Sequence, residues 1–231
     1  ELLKRVRRVV GERYPVGFRF GAEEFNDEGI TIRESPKMAK ILADAGATYL
    51  NVTCGTWETS DKSVYLMRQP EGWQAYIWEA VKRAVDIPVV AGGSLKSPGF
   101  CQSLLLEGKG DLGGLGRPLL ADPHWANKAR EGRTEDICPC ISCIECMQGS
   151  ANRRQGGGNR RCSVNAAAGR EGEFMELKPA PVKKKVMVVG GGPGGMEAAR
   201  VAALRGHDVT LYEKANELGG ALRLAAVPPG K

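Results

Sequence analysis

The 231-residue sequence predicts an α/β protein built from three successive parts. Three observations carry that expectation. Residues 1 to about 135 alternate short apolar runs with amphipathic stretches, the pattern of βα units around a parallel sheet. Five of the seven cysteines then fall between residues 138 and 162, in a stretch without periodicity. Finally, a glycine-rich turn at 190–195 joins an apolar strand to a helix.

In the first part the strand candidates are Val16–Phe20, Tyr49–Thr53, Pro88–Ala91 and Asp111–Gly114. The helix between the first two is the best signalled. Ser35 is placed to cap it, Pro36 suits its first turn, Met38, Ile41, Leu42 and Ala45 share a face, and Gly46 ends it. Further helices are expected near Gln74–Val85, Pro98–Leu106 and His124–Arg130. Four such units make the C-terminal half of a (β/α)₈ TIM barrel, which in full takes eight strands and typically about 250 residues. The domain reading is therefore a barrel half over 1–135.

Residues 136–182 form the irregular cysteine segment, with Gln155–Asn159 as a loop and Pro179-Ala180-Pro181 as a linker. Residues 183–231 open a nucleotide-binding domain: strand Lys185–Gly190, turn Gly190–Gly195, helix Met196–Arg205 ending at Gly206, and strand Asp208–Tyr212. This βαβ unit is too short for a doubly wound domain, and the chain starts at Glu1. The expectation is an internal piece of a longer protein, inactive alone.

Composition narrows the class. The net charge of +6 comes from dispersed basic residues, and no nucleic-acid module accompanies it, so nucleic acid is not an expected partner. No apolar run approaches the roughly 20 residues that span a bilayer. With neither a membrane segment nor a targeting segment, the expected location is the cytoplasm. A small-molecule substrate is the expected partner, and a homo-oligomer is left open. Clustered cysteines in such a chain point to metal ligation rather than to disulfides. Cys54 and Cys101 stand apart and read as small apolar residues.

Three constellations carry chemistry. Gly190, Gly192 and Gly195 form G-x-G-x-x-G between strand and helix, with Gly194 inside the turn and Glu213 about 20 residues on. This spacing suits a dinucleotide: glycines admit the tight turn and the pyrophosphate, while the carboxylate accepts from ribose hydroxyls. The acidic Glu213 favours FAD or NAD(H) over NADP(H). In the barrel half, Gly92-Gly93-Ser94 and Gly114-Leu115-Gly116-Arg117 follow the last two strands, where barrels often hold phosphate. Arg19 lies on the first strand and can reach the same mouth. The third constellation is Cys140, Cys143, Cys146 and Cys162, spaced C-x₂-C-x₂-C-x₁₅-C. Three close ligands and one remote suit the corners of a [4Fe–4S] cube better than a structural zinc, which more often uses two separated C-x₂-C pairs. Cys138 is left unassigned. His124 and His207 lie away from the barrel mouth, while Trp57 and Glu58, in the loop after the second strand, are weak candidates for an apolar wall and an acid or base.

With these parts in this order, the chain resembles the iron–sulfur flavoenzymes of the old yellow enzyme family, the group of 2,4-dienoyl-CoA reductase, 2-enoate reductases and trimethylamine dehydrogenase. The resemblance rests on Val16-Gly-Phe-Arg19, Tyr49-Leu-Asn-Val52, Gly116-Arg117-Pro-Leu-Leu-Ala-Asp-Pro123, Cys140-Ile-Ser-Cys143, Cys162-Ser-Val-Asn165 and Leu218-Gly219-Gly220. It implies that Arg19, Gly116 and Arg117 contact FMN, that the cluster sits between domains, and that FAD or an ADP moiety occupies the last unit beside Gly219 and Gly220. Two departures bear on substrate. Trp57 stands where dienoyl-CoA reductases carry a histidine acid, and Ser94 where relatives often carry an arginine. The two-residue spacing from Cys143 to Cys146 is similar to the amine dehydrogenases.

The functional expectation is an NAD(P)H-dependent ene-reductase passing electrons from FAD through the cluster to FMN and an activated C=C bond. The alternative within enzymes is substrate oxidation at FMN, of an amine for instance, with electrons leaving through the cluster. An alternative of another class is a zinc-stabilised, non-catalytic nucleotide-binding protein.

Overall fold

The computed structural model describes residues 1–93, 95–148, 160–174 and 176–227. Its first part is a four-stranded parallel sheet of β1 (Gly17–Gly21), β2 (Tyr49–Thr53), β3 (Val89–Gly92) and β4 (Leu112–Gly114), hydrogen-bonded in chain order. A doubly wound sheet would reverse direction at a switch point. Unbroken order is what half of a (β/α)₈ barrel requires.

The longer helices before and between the strands are α1 (Leu2–Val10), α2 (Ser35–Asp44), α3 (Ala75–Lys82) and α4 (Pro98–Leu106), with a single turn at Ser60–Ser63 after β2. Beyond β4 follow α5 (Arg117–Ala121) and α6 (Trp125–Arg130). Helix α4 has the termini read from the sequence, because the Ser97 hydroxyl accepts the N–H of Phe100 and Pro98 fits the first turn. At α2 the reading is corrected. Ser35 is the first helical residue rather than the cap, and its buried hydroxyl has no partner. Ile41 is 67% exposed and leaves the apolar face to Met38, Ala39 and Leu42. Helix α1 has no side-chain cap at Glu1, yet Leu2, Leu3, Val6, Val9 and Val10 recur at helical spacing, a periodicity that the sequence reading passed over.

Strand periodicity decides which residues face the site. In register, Phe20, Val52 and Ala91 form one row, and with Leu50 and Val89 they are buried among Ile77, Trp78, Val81 and Leu104 from the helices. Arg19 and Asn51 pair in the alternate row, on the opposite face. That face is the interior of the barrel half. Its row is polar on β1 and β2 and apolar on β3 and β4, where Val90 and Leu112 continue it.

The last part is a parallel pair, β5 (Lys185–Val189) and β6 (Asp208–Tyr212), joined by α7 (Pro193–Leu204). Helix α7 starts three residues earlier than the sequence pattern places it, so Gly194 and Gly195 lie in its first turn. Between the two parts, the described cysteine segment is mostly without regular structure, and Gln155–Asn159 lies outside the described residues. No described helix is long and apolar enough to cross a membrane.

Candidate functional site

A cavity of ≈ 670 Å³ opens at the C-terminal ends of the strands, within the size range of small-molecule sites. Arg19, Asn51 and Thr53 reach it from β1 and β2, Gly92 and Gly93 from the end of β3, and Gly114, Gly116 and Arg117 from the end of β4. Gly93 has φ +101°, and a Cβ there would lie 2.7 Å from the Gln74 side chain, so the loop after β3 needs glycine on two counts. At Gly116, by contrast, a Cβ would meet open space. Its bare backbone faces the cavity.

Arg117 is held in place. Its Nη1 donates to the carbonyl of Tyr65 at 2.8 Å, and its guanidinium lies 4.5 Å from the centre of the Tyr65 ring. The sequence reading therefore places Arg19, Gly92, Gly93, Gly116 and Arg117 on one cavity, while Ser94 lies outside the described residues. It missed Asn51, Thr53, Tyr65, Gln74 and Met147, which also line it. Asn51 and Thr53 follow from strand alternation once Arg19 is taken as inward. No local signal marks Tyr65 or Met147.

Trp57 and Glu58 are not on this cavity. The Thr56 N–H donates to the Thr59 hydroxyl at 2.8 Å, and that hydroxyl donates to the Glu24 carbonyl at 2.7 Å, which closes the turn with its tip outward. Both residues are exposed, Trp57 at 93%.

Cys140, Cys143, Cys146 and Cys162 line a second, smaller cavity together with Arg117 and Leu120. Ser142 and Ile144 have φ of 56° and 58°, one between each successive pair of cysteines. A β-branched residue in the left-handed region is strained, and such strain persists only where the surroundings over-determine it. Here it turns three successive cysteines toward one space. Among the described residues no three His, Cys, Asp or Glu side chains converge as one ion would require. Burial pushes the Cys146 thiol up, while Arg117 pulls it back down. Cys138 lies off this cavity, and its thiol donates to the Val164 carbonyl at 3.5 Å.

Both ends of the cysteine segment are tied to the C-terminal end of α5. Cys138 donates its N–H to Asp122 at 2.9 Å, and the Asn165 amide donates to the Leu120 carbonyl at 2.8 Å. Arg117, five residues before Asp122, lines both cavities. One short stretch thus positions the strand-end site and the thiols.

In the last part, Gly190 has φ +104° and donates its N–H to Tyr212 at 2.7 Å. A Cβ on Gly195 would fall 1.9 Å from the Gly190 carbonyl oxygen, so this glycine is demanded by helix–strand packing. Gly192 has an ordinary φ of −75°, and Cβ atoms on Gly192 or Gly194 would meet nothing within 4 Å. Nothing inside the protein requires glycine there, whereas an approaching pyrophosphate would. Gly219 donates to the Gly191 carbonyl at 2.8 Å, which seats Gly219-Gly220 on the turn. Glu213 accepts the N–H groups of Ala215 at 2.9 Å and Gly191 at 2.6 Å, and these bonds hold its carboxyl below the usual range. His207 accepts the Lys184 N–H at 3.1 Å, away from either cavity.

Comparison with known proteins gives two family matches, the NADH:flavin oxidoreductase / NADH oxidase family over residues 1–136 and an NAD(P)-binding Rossmann-like domain over 188–230. The chain is 46% identical to an NADH oxidase of Thermoanaerobacter brockii, over all of this chain and 35% of that protein. Among solved structures, it superposes on 2-naphthoyl-CoA reductase with a TM-score of 0.91 and 32% identity, covering 99% of this chain and 34% of that one. It superposes on histamine dehydrogenase from Rhizobium sp. 4-9 with a TM-score of 0.90 and 30% identity, covering 99% and 33%. The chain spans about a third of the length of these proteins.

Proposed function

The chain belongs to the NADH:flavin oxidoreductase / NADH oxidase family, and on that premise we propose that its full-length protein is an NAD(P)H-dependent ene-reductase with FMN, a [4Fe–4S] cluster and FAD. The observation that carries this reading is Arg117, which stands in the wall of the strand-end cavity and in that of the four-cysteine cavity. Two redox groups held there would be neighbours.

The residues present fit all three groups. The strand-end cavity offers bare backbone at Gly93 and Gly116 for a phosphate, with Arg19 and Arg117 for negative charge on phosphate or on a reduced ring. The thiols surround a space without converging on a point. A single tetrahedral zinc at bonds of about 2.3 Å would draw its sulfurs to about 3.8 Å from one another. A cluster with ligands at separate corners matches better. The open approach at Gly192 and Gly194, with Glu213 beside it, suits the dinucleotide. Bound in these places, flavins would exchange hydride with nicotinamide and substrate, and the cluster would carry single electrons between them.

The chain's own residues position and exclude. Tyr65 orients Arg117, the Gln74 side chain lies against Gly93, and Met147 lines the cavity from the cysteine segment. The described lining contains no carboxylate to pair with a protonated amine, which favours a 2-enoate or an enoyl thioester as substrate. The likeness to histamine dehydrogenase supports the second reading, amine oxidation with electrons leaving through the cluster. Anaerobic assays of the full-length protein decide between them. NADH oxidation driven by a 2-enoate or enoyl thioester is expected; turnover only with an amine and an artificial acceptor overturns ene-reduction. A colourless protein containing zinc overturns both.

A further inference from the structure

Tyr65 is 3% exposed, and two cations stand against its ring. The Arg117 guanidinium lies 4.5 Å from the ring centre and the Lys96 ammonium 5.0 Å from it. Arg117 is the residue shared by the two cavities. Lys96 is fixed through its backbone, whose N–H donates to Glu71 and whose carbonyl accepts from the Trp125 indole at 2.8 Å. Burial lowers the pKa of its ammonium, Cys140 opposes that shift and Arg117 adds to it. Two positive groups are therefore gathered on one buried aromatic ring, and one of them, Arg117, stands in the wall of the thiol cavity.

We propose that Lys96, seated on Tyr65 beside Arg117, is a positioning residue for electron transfer that keeps positive charge next to the four-cysteine site and raises the reduction potential of a cluster held there. The proposal rests on reading the thiols as iron–sulfur ligands. Reduction adds one electron, supplied by flavin that NAD(P)H has reduced, and no proton. The reduced form carries one more negative charge. A fixed cation stabilises it more than the oxidised form, and net charge and solvent exposure are among the factors that set such potentials.

The test uses full-length, anaerobically purified Lys96→Gln and Lys96→Arg proteins in redox titrations followed by the paramagnetic signal of the reduced cluster. At the wild-type midpoint, Lys96→Gln is expected to show a several-fold lower ratio of reduced to oxidised cluster, with unchanged iron, sulfide and melting temperature, and Lys96→Arg to restore it. A midpoint unchanged or moved positive in Lys96→Gln overturns the proposal. If Lys96→Gln fails to assemble the cluster, Lys96→Met, which keeps an unbranched stem on the Tyr65 ring and removes the charge, is titrated instead. A negative shift there supports the proposal and an unchanged midpoint overturns it. Wild-type protein without iron and sulfide refutes the iron–sulfur reading itself, a result distinguishable from failure of the charge effect alone.

Discussion

Asp122 accepts the backbone N–H of Cys138 at 2.9 Å and the Lys128 ammonium at 2.6 Å, so one buried carboxylate joins the end of the barrel half to the start of the cysteine segment. Burial alone would raise its pKa. The Lys128 ammonium and the N–H groups of Cys138 and His124 outweigh that and hold it below the ordinary value. Because the group ionises more readily folded than unfolded, its stabilisation is complete above the unfolded carboxylate pKa of about 4 and is lost as pH falls through the folded value. Asp122→Asn is expected to cost about 2–3 kcal/mol at pH 7, since it leaves the half-buried Lys128 ammonium with the Asp136 carbonyl but without a carboxylate. Thermal melts of the full-length protein at pH 7 and at pH 3 check this, the difference between variant and wild type shrinking in acid.

The fingerprint glycines separate fold from ligand. Gly195→Ala puts a methyl 1.9 Å from the Gly190 carbonyl and should destabilise the βαβ unit by about 3 kcal/mol, visible as a lower melting temperature. Gly192→Ala meets open space at an ordinary φ and should change stability by less than about 0.5 kcal/mol. Its effect is expected on nucleotide affinity, about tenfold or more in a binding titration, because the glycine serves a group that approaches from outside.

Cys140→Ser should abolish iron and acid-labile sulfide in the purified protein, whereas Cys138→Ser should retain both. Cys140 lines the shared cavity, while the Cys138 thiol is turned to the Val164 carbonyl. Equal loss in the two variants would make Cys138 a ligand.

Cys54 and Cys101 should resist alkylation in the native protein. Burial, helped by Glu23, pushes the Cys54 thiol up to about 12, and burial, helped by Glu71, pushes Cys101 up to about 11. At pH 8 only about one Cys54 thiol in ten thousand is then a thiolate, the reactive form. Mass spectrometry after iodoacetamide treatment, with and without denaturant, gives the measurement; rapid native labelling of Cys54 would contradict its burial.

Much of the fold was legible because its signals are local. Alternation and helix periodicity marked the four βα units, and Pro98 marked the start of α4, since proline suits a helix in its first turn. Ser35 misled because a serine before a proline carries the same pattern whether it caps or occupies the first turn, and here it is buried inside the helix. Ile41 misled because it lies at the edge of the shared apolar face, and only docking on the sheet selects how far round the helix is covered. In the site, the glycine turns and the cysteine array were legible as spacings. Trp57 was not, because the hydrogen bonds from Thr56 through Thr59 to Glu24 decide which way its loop turns.

By itself, then, the sequence determined the element types, the three-part order, the thiol array and the dinucleotide turn, all of which depend on residues within about two dozen positions of one another. The tertiary structure alone decided that Arg117 stands in two walls, that Tyr65 gathers Arg117 and Lys96, and that Asp122 holds Cys138. The Tyr65–Arg117 contact spans 52 positions. Its existence follows from how parallel strands bring successive loops to the same end of the sheet, a property of the assembled backbone that no local pattern encodes.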